Sequence, residues 1–587
     1  MSVIRNPVLR GFNPDPSIVR VGGDYFLATS TFEWWPGVQL HHSRDLVHWR
    51  LAGHALTRES QLNLRGITDS GGVWAPSLSH ADGKFWLIYT NVRTCGMGRP
   101  FKDVGIYLTT APAIDGPWSE PIALNSIGFD PSLFHDDDGR KWLVNMMWDF
   151  RPGRNRFAGI VVQEYDPAAR RLVGPMTRVL AKDILSEGPN LYKRDGWYYL
   201  MLAEGGTGWN HGIALARSRA ITGPYELDPQ PAVLTTRDAP GSPLQKAGHG
   251  ELVSTPAGEW FLAHLAARPL VLGRVADAPR PPLDVHPADR ATLRRCPLGR
   301  ETCLQRVRWT DDGWLRLDNA PTADYRRSGK REFFATVVAE NVSFSRPVSG
   351  ETQTRSAPTT PALLVSAPRG VAPHPWPTPP TRDDFDAPQL DATWASLRGP
   401  IDESWASLAA RPGWLRLRGR ESLHSLFHQS LVAKRVTEHR AVARTRMEFR
   451  PEHFTQAAGL ICYYDTRTHF YLRVTHDETR GRVLGIAVTD DGAYSELADA
   501  ALDVNDWPAF HLQAEIDGTR LQFSASRDGT AWQPVGPVLD FSKLSDDYGS
   551  ALHFTGAFVG ICAQDLGGAG VTADFAHFEL RCVRADE

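Results

Sequence analysis

One stretch of this sequence reads Asp130-Pro131-Ser132-Leu133, then the turn residues Asp138-Gly139, then Arg140-Lys141-Trp142. A polar residue beside Pro leads into a short apolar segment, and a tight turn joins that segment to an aromatic one, which is the pattern of a β-hairpin. Similar stretches begin at Asp15, Trp74, Glu187 and His249. Five copies at a spacing of roughly 60 residues predict a five-bladed β-propeller.

Equivalent positions in successive blades of a propeller face the same central axis, so residues far apart in sequence meet at one end of the channel. Three of the five copies place a carboxylate at or next to this position, namely Asp15, Asp130 and Glu187. Acid/base hydrolysis of a sugar acetal requires such a group of carboxyls around one small pocket. The three acids therefore predict a glycosidase site, although each of them alone is more often a turn residue.

The composition is that of a soluble globular protein with two domains. The chain has 587 residues, of which 42% are hydrophobic, and this length is too great for one ordinary core. Its net charge of -3 argues against nucleic acid or an anionic membrane as the main partner. The N-terminus lacks the apolar core of a signal peptide, which indicates a cytoplasmic protein. Six cysteines without a Cys-x-x-Cys pair indicate free thiols.

Composition and alternation divide the chain into three segments. Residues 1–318 contain the five repeats and close with Trp314-Leu315-Arg316-Leu317, which is expected to complete the last blade. Residues 319–380 are rich in Pro, Thr, Ser and Arg and are predicted to be a linker or surface insertion, within which residues 331–338 could form a strand. Residues 381–587 alternate with period two between turn residues, which predicts a β-sandwich.

An ordered set of motifs closely resembles the family 43 glycoside hydrolases. The motifs are Asn13-Pro14-Asp15-Pro16-Ser17, Ser70-Gly71-Gly72-Val73-Trp74-Ala75-Pro76, Asp130-Pro131-Ser132-Leu133-Phe134, Ser186-Glu187-Gly188-Pro189 and Leu298-Gly299-Arg300-Glu301-Thr302. Within that family, the chain resembles bacterial β-xylosidases with a C-terminal β-sandwich, a concanavalin-like jelly roll. The resemblance covers residues 1–318 and 381–587. Each motif alone is weak, whereas the ordered set is specific.

This resemblance implies a role for each acid. Asp15 matches the family's general base, Glu187 its general acid, and Asp130 the carboxylate that orients the acid and raises its pKa. An ionised carboxylate beside Glu187 disfavours a second negative charge, so the acid keeps its proton nearer neutral pH.

The implied activity is that of an inverting, exo-acting β-xylosidase. It would release D-xylose from the non-reducing ends of xylo-oligosaccharides, with α-L-arabinofuranosidase side activity. Two alternatives stay open from the residues. One is a main α-L-arabinofuranosidase activity, and the other is a glycan-binding protein that does not cleave its ligand.

The resemblance also places five residues in the pocket for the terminal sugar, namely Phe32, Trp74, Trp148, His249 and Arg300. Aromatic rings suit the C–H face of a pyranose, and a guanidinium group can hold two hydroxyls. Residues 553–558 match a loop that closes the pocket in relatives, with Phe554 and Phe558 as candidate lining residues. Alternation assigns at least one of these two rings to the sandwich core.

No cofactor is required for this chemistry. Some relatives hold a divalent ion, often calcium, near the histidine that matches His249, so His249 is a candidate metal ligand with a structural or activating role. The nearby sequence lacks an acidic cluster of calcium-ligand spacing. Homo-oligomers are frequent among relatives, so self-association is a further expectation, and no nucleic-acid or membrane partner is expected.

Overall fold

The computed structural model of the protein describes residues 2–95, 100–274, 286–318, 359–551 and 553–584. Apart from two short 3-10 helices, Ala498–Ala500 and Phe541–Lys543, the regular structure in these ranges consists of strands. Neither helix is long and apolar enough to cross a membrane. The fold belongs to the predicted all-β class.

Five antiparallel sheets form the blades of a propeller, and the first strand of each contributes residues to the central channel. Blade one contains Ser17–Val21, Asp24–Thr29, Gly37–Ser43 and Arg50–Leu56, and blade two contains Gly72–Ala81, Lys84–Val92, Val104–Ala111 and Ile122–Ala123. Blade three contains Gly128–His135, Lys141–Trp148, Phe157–Asp166 and Arg171–Leu180. Blade four contains Ser186–Arg194, Trp197–Glu204, Gly212–Ser218, Glu226–Leu227 and Leu234–Thr235. Blade five contains Gln245–Ser254, Trp260–Ala267, Glu301–Trp309 and Leu315–Leu317.

The repeated turns join the first two strands of the blades as the sequence predicts. Ala81 pairs with Lys84, so the loop of blade two is the dipeptide Asp82-Gly83. These two residues have φ of 53° and 71°, the two consecutive positive values of a type I′ turn. Because the twist of such a turn matches that of its strands, the local sequence is sufficient to set this hairpin.

Blade five completes the ring with its own strands. Leu315–Leu317 pairs with Glu301–Trp309 as the outer strand, as the alternation predicts. A two-stranded ribbon, Leu270–Arg274 and Thr292–Arg295, is inserted between the second and third strands. The N-terminal segment ties the first blade to the last, because the Asn6 side chain donates to Leu304 O at 2.7 Å.

The Pro-rich connection follows the propeller surface from residue 359 onwards. Its short strand Leu364–Ser366 pairs with the N-terminal strand Val3–Arg5. Further on, His374 N donates to Asp45 Oδ2 at 2.6 Å, and the Arg50 guanidinium lies 4.4 Å from the Trp376 ring centroid. The strand predicted for residues 331–338 lies outside the described residues.

Two large sheets form the C-terminal sandwich. The outer sheet contains, in spatial order, Ala406–Ser407, Leu415–Arg418, Thr572–Cys582, Arg440–Glu448, Phe510–Asp517, Arg520–Ser526 and Gln533–Asp540, with Arg382–Asp383 paired to Thr572–Cys582. The inner sheet contains Ala493–Glu496, Gly481–Asp490, His469–Asp477, Gln456–Tyr463, Phe558–Asp565, Ser430–Arg435 and Ala395–Leu397, with Leu502–Asp503 paired to Gly481–Asp490. Alternating apolar residues between the sheets form one core.

The inner sheet of the sandwich continues into the propeller. The short strand Trp34–Trp35 of the propeller pairs with Ala395–Leu397 and becomes the edge of that sheet. Phe558 stacks on Trp34 with ring centroids 3.7 Å apart, and both side chains are completely buried. Burial of side chains of this size stabilises the interface by roughly 2 to 3 kcal/mol each. The domains are thus joined by main-chain pairing and a shared core, which fixes the sandwich loops over the propeller.

Candidate active site

The five blades share a distorted position at the channel. Blades two to five each have a register shift near the start of their first strand, which is the mark of a β-bulge. One residue there has a positive φ in every blade: Asp15 (52°), Ala75 (35°), Asp130 (52°), Gly188 (56°) and His249 (40°). All five line the central channel. For a residue other than Gly, this left-handed backbone conformation costs of order 1 kcal/mol or more. The bulges that impose it occur where the first strands bring side chains to the central axis.

The bulge shows that two predicted site residues are offset from the others. Glu187 precedes Gly188, and Trp74 precedes Ala75, so both stand one position before the left-handed residue. Their structural equivalent in blade three is Phe129, not Asp130. The acids of blades one and three therefore share one position in the repeat, and the acid of blade four occupies the preceding one.

Asp15 is buried and held in its ionised form. Arg300 Nη1 donates to Asp15 Oδ1 at 2.9 Å, Ser30 Oγ donates to Oδ2 at 2.7 Å, and His249 Nδ1 lies 3.7 Å from Oδ1. Burial by itself raises the pKa of this carboxyl, but the charges of Arg300 and His249 and the Ser30 hydrogen bond outweigh it. The pKa of Asp15 is therefore below its ordinary value, so the group is a carboxylate at neutral pH.

Asp130 and Glu187 form a second buried unit that retains a proton. Burial, with the negative charge of Asp15, raises the pKa of Glu187 to about 7. Burial and repulsion from Glu187 and Asp15 also raise the pKa of Asp130. Gly188 N donates to Asp130 Oδ2 at 3.1 Å and so favours the ionised form of Asp130, but burial and the neighbouring acids outweigh this bond. The site thus combines the Asp15 carboxylate with a pair of carboxyl groups that retains a proton.

Arg300 connects the channel of the propeller to the sandwich. Its side chain is buried, and while Nη1 binds Asp15, Nη2 donates to the main-chain oxygen of Phe554 at 2.9 Å. The guanidinium lies 5.4 Å from the Phe32 ring and 5.7 Å from the Phe554 ring. Both terminal nitrogens thus bind protein groups, a role that the sequence alone did not indicate.

Aromatic rings form one continuous wall beside the acids. Phe32 lies 6.0 Å from both Trp74 and Phe554, and Trp74 lies 5.3 Å from Phe554. Phe129 continues the wall from Trp74 to Trp148, at centroid distances of 5.4 and 6.0 Å. The structure therefore brings Phe32, Trp74 and Trp148 together. Phe129 was missed in the sequence, although it precedes Asp130 as Trp74 precedes Ala75 and could have been found from that alignment.

The two candidate rings of the sandwich loop are in different places. Phe554 is partly exposed and contacts the aromatic wall, whereas Phe558 lies in the buried core between the domains. Lys102, also missed in the sequence, places its ammonium group 5.2 Å from the Trp74 ring and 4.9 Å from the Trp148 ring. The wall thus carries a positive charge, and of the two loop rings only Phe554 borders it.

In the described part of the chain, few of the oxygen ligands that calcium prefers are found around His249. Calcium takes six to eight oxygen ligands, whereas His249 offers an imidazole and faces a carboxylate that is already bound by Arg300. Among the residues that the structure describes, no group of three or more His, Cys, Asp or Glu side chains is arranged to hold a metal. His249 instead packs against the bulge of blade four, since a Cβ on Gly188 would lie 3.0 Å from its ring.

A propeller channel that brings together a buried carboxylate, carboxyl groups that retain a proton and an aromatic wall contains the groups that hydrolysis of a glycoside needs. The chain belongs to family 43 of the glycoside hydrolases. The family description "Glycosyl hydrolases family 43" matches residues 4–315, and "Beta xylosidase C-terminal Concanavalin A-like domain" matches residues 382–581. The protein is therefore a hydrolase built of a catalytic propeller and a concanavalin-like sandwich.

Similar proteins match along the whole chain. The crystal structure of xylan beta-1,4-xylosidase from Bacillus halodurans C-125 is 47% identical, with a TM-score of 0.87 over 98% of this chain and 100% of that chain. The Xylan 1,3-beta-xylosidase of a Vibrio species is 42% identical over 98% of this chain and 99% of its own. The Xylosidase/arabinosidase 43B of Humicola insolens is 42% identical over 100% of this chain and 98% of its own.

Proposed function

We propose that the protein is an exo-acting, inverting β-xylosidase that releases D-xylose from the non-reducing ends of xylo-oligosaccharides. The observation that carries this proposal is the different surroundings of two buried carboxyl groups, since Asp15 is bound by the Arg300 guanidinium and Glu187 lies among other acids. Arg300 lowers the pKa of Asp15, whereas burial and the charge of Asp15 raise that of Glu187 to about 7. Hydrolysis of a glycoside by one direct displacement needs such a base and such an acid at the same time.

The proposed reaction is a single displacement at the anomeric carbon. Asp15 takes a proton from a water molecule as the water oxygen forms its bond to that carbon. The bond from the anomeric carbon to the glycosidic oxygen breaks on the opposite face, and Glu187 donates its proton to the departing oxygen. Asp130 keeps that proton on Glu187 until it is needed and orients the acid. One water is consumed, and the released sugar has the inverted configuration.

The aromatic wall and the Phe554 loop support the release of single terminal sugars. Phe32, Trp74 and Phe554 present apolar rings that suit the C–H face of a pyranose. Because Phe554 belongs to the sandwich, it closes one side of the pocket against a polymer chain. The similar proteins named above include xylosidases, which favours xylose as the sugar in this pocket. Their names differ in the linkage, β-1,4 or β-1,3, and we propose the β-1,4 linkage on the greater similarity.

A second candidate activity is that of an α-L-arabinofuranosidase. One relative that matches the whole chain is named Xylosidase/arabinosidase, so a single pocket of this type is associated with both sugars. The two sugars present similar hydroxyl groups. The ratio of kcat/KM on 4-nitrophenyl β-D-xyloside to that on 4-nitrophenyl α-L-arabinofuranoside measures which of them is the main substrate, and we expect the xyloside to be preferred.

The stereochemistry of the product tests the proposed mechanism. We expect α-xylose to appear first when the protein acts on xylobiose, because water attacks the face opposite the leaving oxygen. Time-resolved proton NMR of the anomeric signals, recorded before mutarotation, distinguishes the two products. Early β-xylose would contradict the proposal, since it would require a carboxylate to act as nucleophile. If xylobiose gives no xylose but 4-nitrophenyl α-L-arabinofuranoside is cleaved, the second candidate activity is selected instead.

The pH dependence of kcat/KM follows from the same two groups. Glu187 must be protonated, so kcat/KM is expected to fall tenfold per pH unit above a value near 7. Asp15 must be ionised, so the loss on the acid side is expected below its ordinary pKa. Initial rates on 4-nitrophenyl β-D-xyloside across pH 3 to 9 measure both limbs.

A matched variant identifies the group responsible for the alkaline limb. Burial also raises the pKa of Glu251 to about 7, in the blade-five strand that begins at the channel. Its carboxylate accepts from Ser17 Oγ at 2.5 Å and from Ile18 N at 2.6 Å, so it has a structural role. Glu251→Gln should leave the alkaline limb in place. Loss of that limb in Glu251→Gln would refute its assignment to Glu187.

A further inference from the structure

A buried ion pair of the sandwich lies directly behind the pocket. His553 Nδ1 is 2.8 Å from Asp465 Oδ2, and His553 and Asp465 are 4% and 0% exposed. This short contact joins an imidazole nitrogen to a carboxylate oxygen, so charge attraction holds the two side chains together. His553 immediately precedes Phe554. The pair therefore acts on the peptide that carries the pocket-closing ring.

Asp465 is firmly anchored on the sandwich side. It lies in the turn between the strands Gln456–Tyr463 and His469–Asp477, and its Oδ1 accepts from the main-chain nitrogens of Arg467 and Thr468 at 2.8 and 2.7 Å. These two bonds fix the carboxylate without using the oxygen that faces His553. Asp465 is therefore a rigid support for the loop.

His553 is surrounded by acids from three segments. Besides Asp465, the carboxyls of Asp546 in its own loop and Asp69 in the propeller face it, and the Tyr464 ring packs edge-on at 5.5 Å. Burial alone would lower the pKa of His553, but these negative charges raise it above its ordinary value. The imidazole therefore keeps its proton to higher pH than an ordinary histidine does.

Propeller side chains bind both main-chain polar atoms of Phe554, the residue after His553. Phe554 N donates to Ser70 Oγ at 3.0 Å, and Phe554 O accepts from Arg300 Nη2 at 2.9 Å. Arg300 reaches Asp15 with its other terminal nitrogen, at 2.9 Å. A continuous line of contacts thus runs from Asp465 in the sandwich to the carboxylate of Asp15 in blade one.

We propose that His553 and Asp465 are positioning residues of the reaction, because their ion pair holds the Phe554 carbonyl where it fixes Arg300 against Asp15. The sandwich then does more than cover the pocket: it sets the position of the cation that acts on the base. This inference rests on the proposed role of Asp15. A displacement of only about 1 Å at a group that orients the reacting atoms can cost a hundredfold in rate, so the expected effect is large.

Asp465→Asn tests the proposal without removing the anchor. The amide oxygen can still accept from the two main-chain nitrogens, but the attraction for His553 is lost. We expect kcat/KM on 4-nitrophenyl β-D-xyloside to fall about tenfold or more, with a rise in KM as the loop opens. Because Arg300 is then held less firmly, the pKa of Asp15 rises and the acid limb of kcat/KM moves to higher pH. His553→Gln should have the same effects, and the double variant should be little worse than either single variant.

A second buried carboxylate of the sandwich provides the matched control. Asp574 is 8% exposed and binds Arg416 at 2.7 and 2.8 Å on the outer sheet, away from the pocket. Asp574→Asn also breaks an ion pair, here a partly buried one, so it should lower Tm while leaving KM and the acid limb unchanged.

The outcomes separate this inference from the proposed function. If Asp465→Asn resembles Asp574→Asn, with a lower Tm and an unchanged acid limb and KM, the positioning role is refuted. If the wild-type protein cleaves neither xylosides nor arabinosides, the proposed function fails instead. Should His553→Gln not fold, Asp465→Asn alone still decides, because its fold is supported by the retained main-chain hydrogen bonds.

Discussion

Glu187→Gln is expected to lower kcat/KM for xylobiose about a thousandfold, whereas hydrolysis of 2,4-dinitrophenyl β-D-xyloside should change far less. The reason is the leaving group. A sugar alkoxide is a strong base and departs only when it receives a proton, whereas dinitrophenolate departs without one. Glutamine has nearly the size of the acid but no proton to transfer. The dependence of kcat/KM on leaving-group pKa, measured over a series of aryl xylosides, should therefore become steep in this variant.

The alkaline limb of the pH profile provides an independent check on Glu187. If the raised pKa of about 7 belongs to this carboxyl, the limb should disappear in Glu187→Gln when dinitrophenyl xyloside is the substrate. Glu251→Gln, with its own raised pKa, is the control and should keep both the limb and the rate on xylobiose. Equal loss of activity on all leaving groups would contradict the role of Glu187 as proton donor and would indicate a damaged pocket.

Much of the fold could be predicted because its signals are local. Dipeptides such as Asp82-Gly83 set a two-residue turn by their own φ values, and the alternation on either side sets which face of the strand is buried. Repetition of that local pattern then indicates a propeller. The convergence of Asp15 and Asp130 follows from this symmetry, since both occupy the same left-handed position of the repeat.

The parts that could not be predicted depend on contacts between distant segments. No local sequence pattern predicts that the propeller strand Trp34–Trp35 pairs with the inner sheet of the sandwich and forms its edge. The different positions of Phe554 and Phe558 also depend on this contact between the domains. Phe558 stacks on Trp34 and so cannot reach the pocket. Both rings belong to the same short segment of the chain, and only the propeller surface that each one contacts distinguishes them.

The contacts of Arg300 also could not be predicted from the sequence, because they join distant segments. A guanidinium near a sugar pocket is readily interpreted as a ligand for hydroxyl groups. In the folded protein, its two terminal nitrogens bind Asp15 and the Phe554 carbonyl, which lie 285 and 254 residues away in sequence. Arg300 thus lowers the pKa of Asp15 within the propeller and also binds the sandwich, and the second contact depends on how the two domains dock.

Asp15→Asn is expected to abolish measurable hydrolysis, with a loss of at least about a thousandfold that is equal for xylobiose and for activated aryl xylosides. Every substrate needs the attacking water to be deprotonated, so a better leaving group does not restore kcat/KM. The buried guanidinium of Arg300 also loses its partner, which should lower Tm. Asp45→Asn, a change of another buried aspartate in blade one, should affect only stability.

Restoration of activity by azide would show that Asp15 acts on the attacking group and not merely on the fold. In Asp15→Ala, the space left by the carboxylate is lined by the positive charge of Arg300, which should attract a small anion. Azide needs no base, so it can form its bond to the anomeric carbon while Glu187 protonates the leaving oxygen. The product from a β-xyloside should be α-xylosyl azide, identified by NMR, at a rate that increases with azide concentration. A β-xylosyl azide would instead mean that a second carboxylate has attacked first, and the assignment of Asp15 as the base of a single displacement would have to be abandoned.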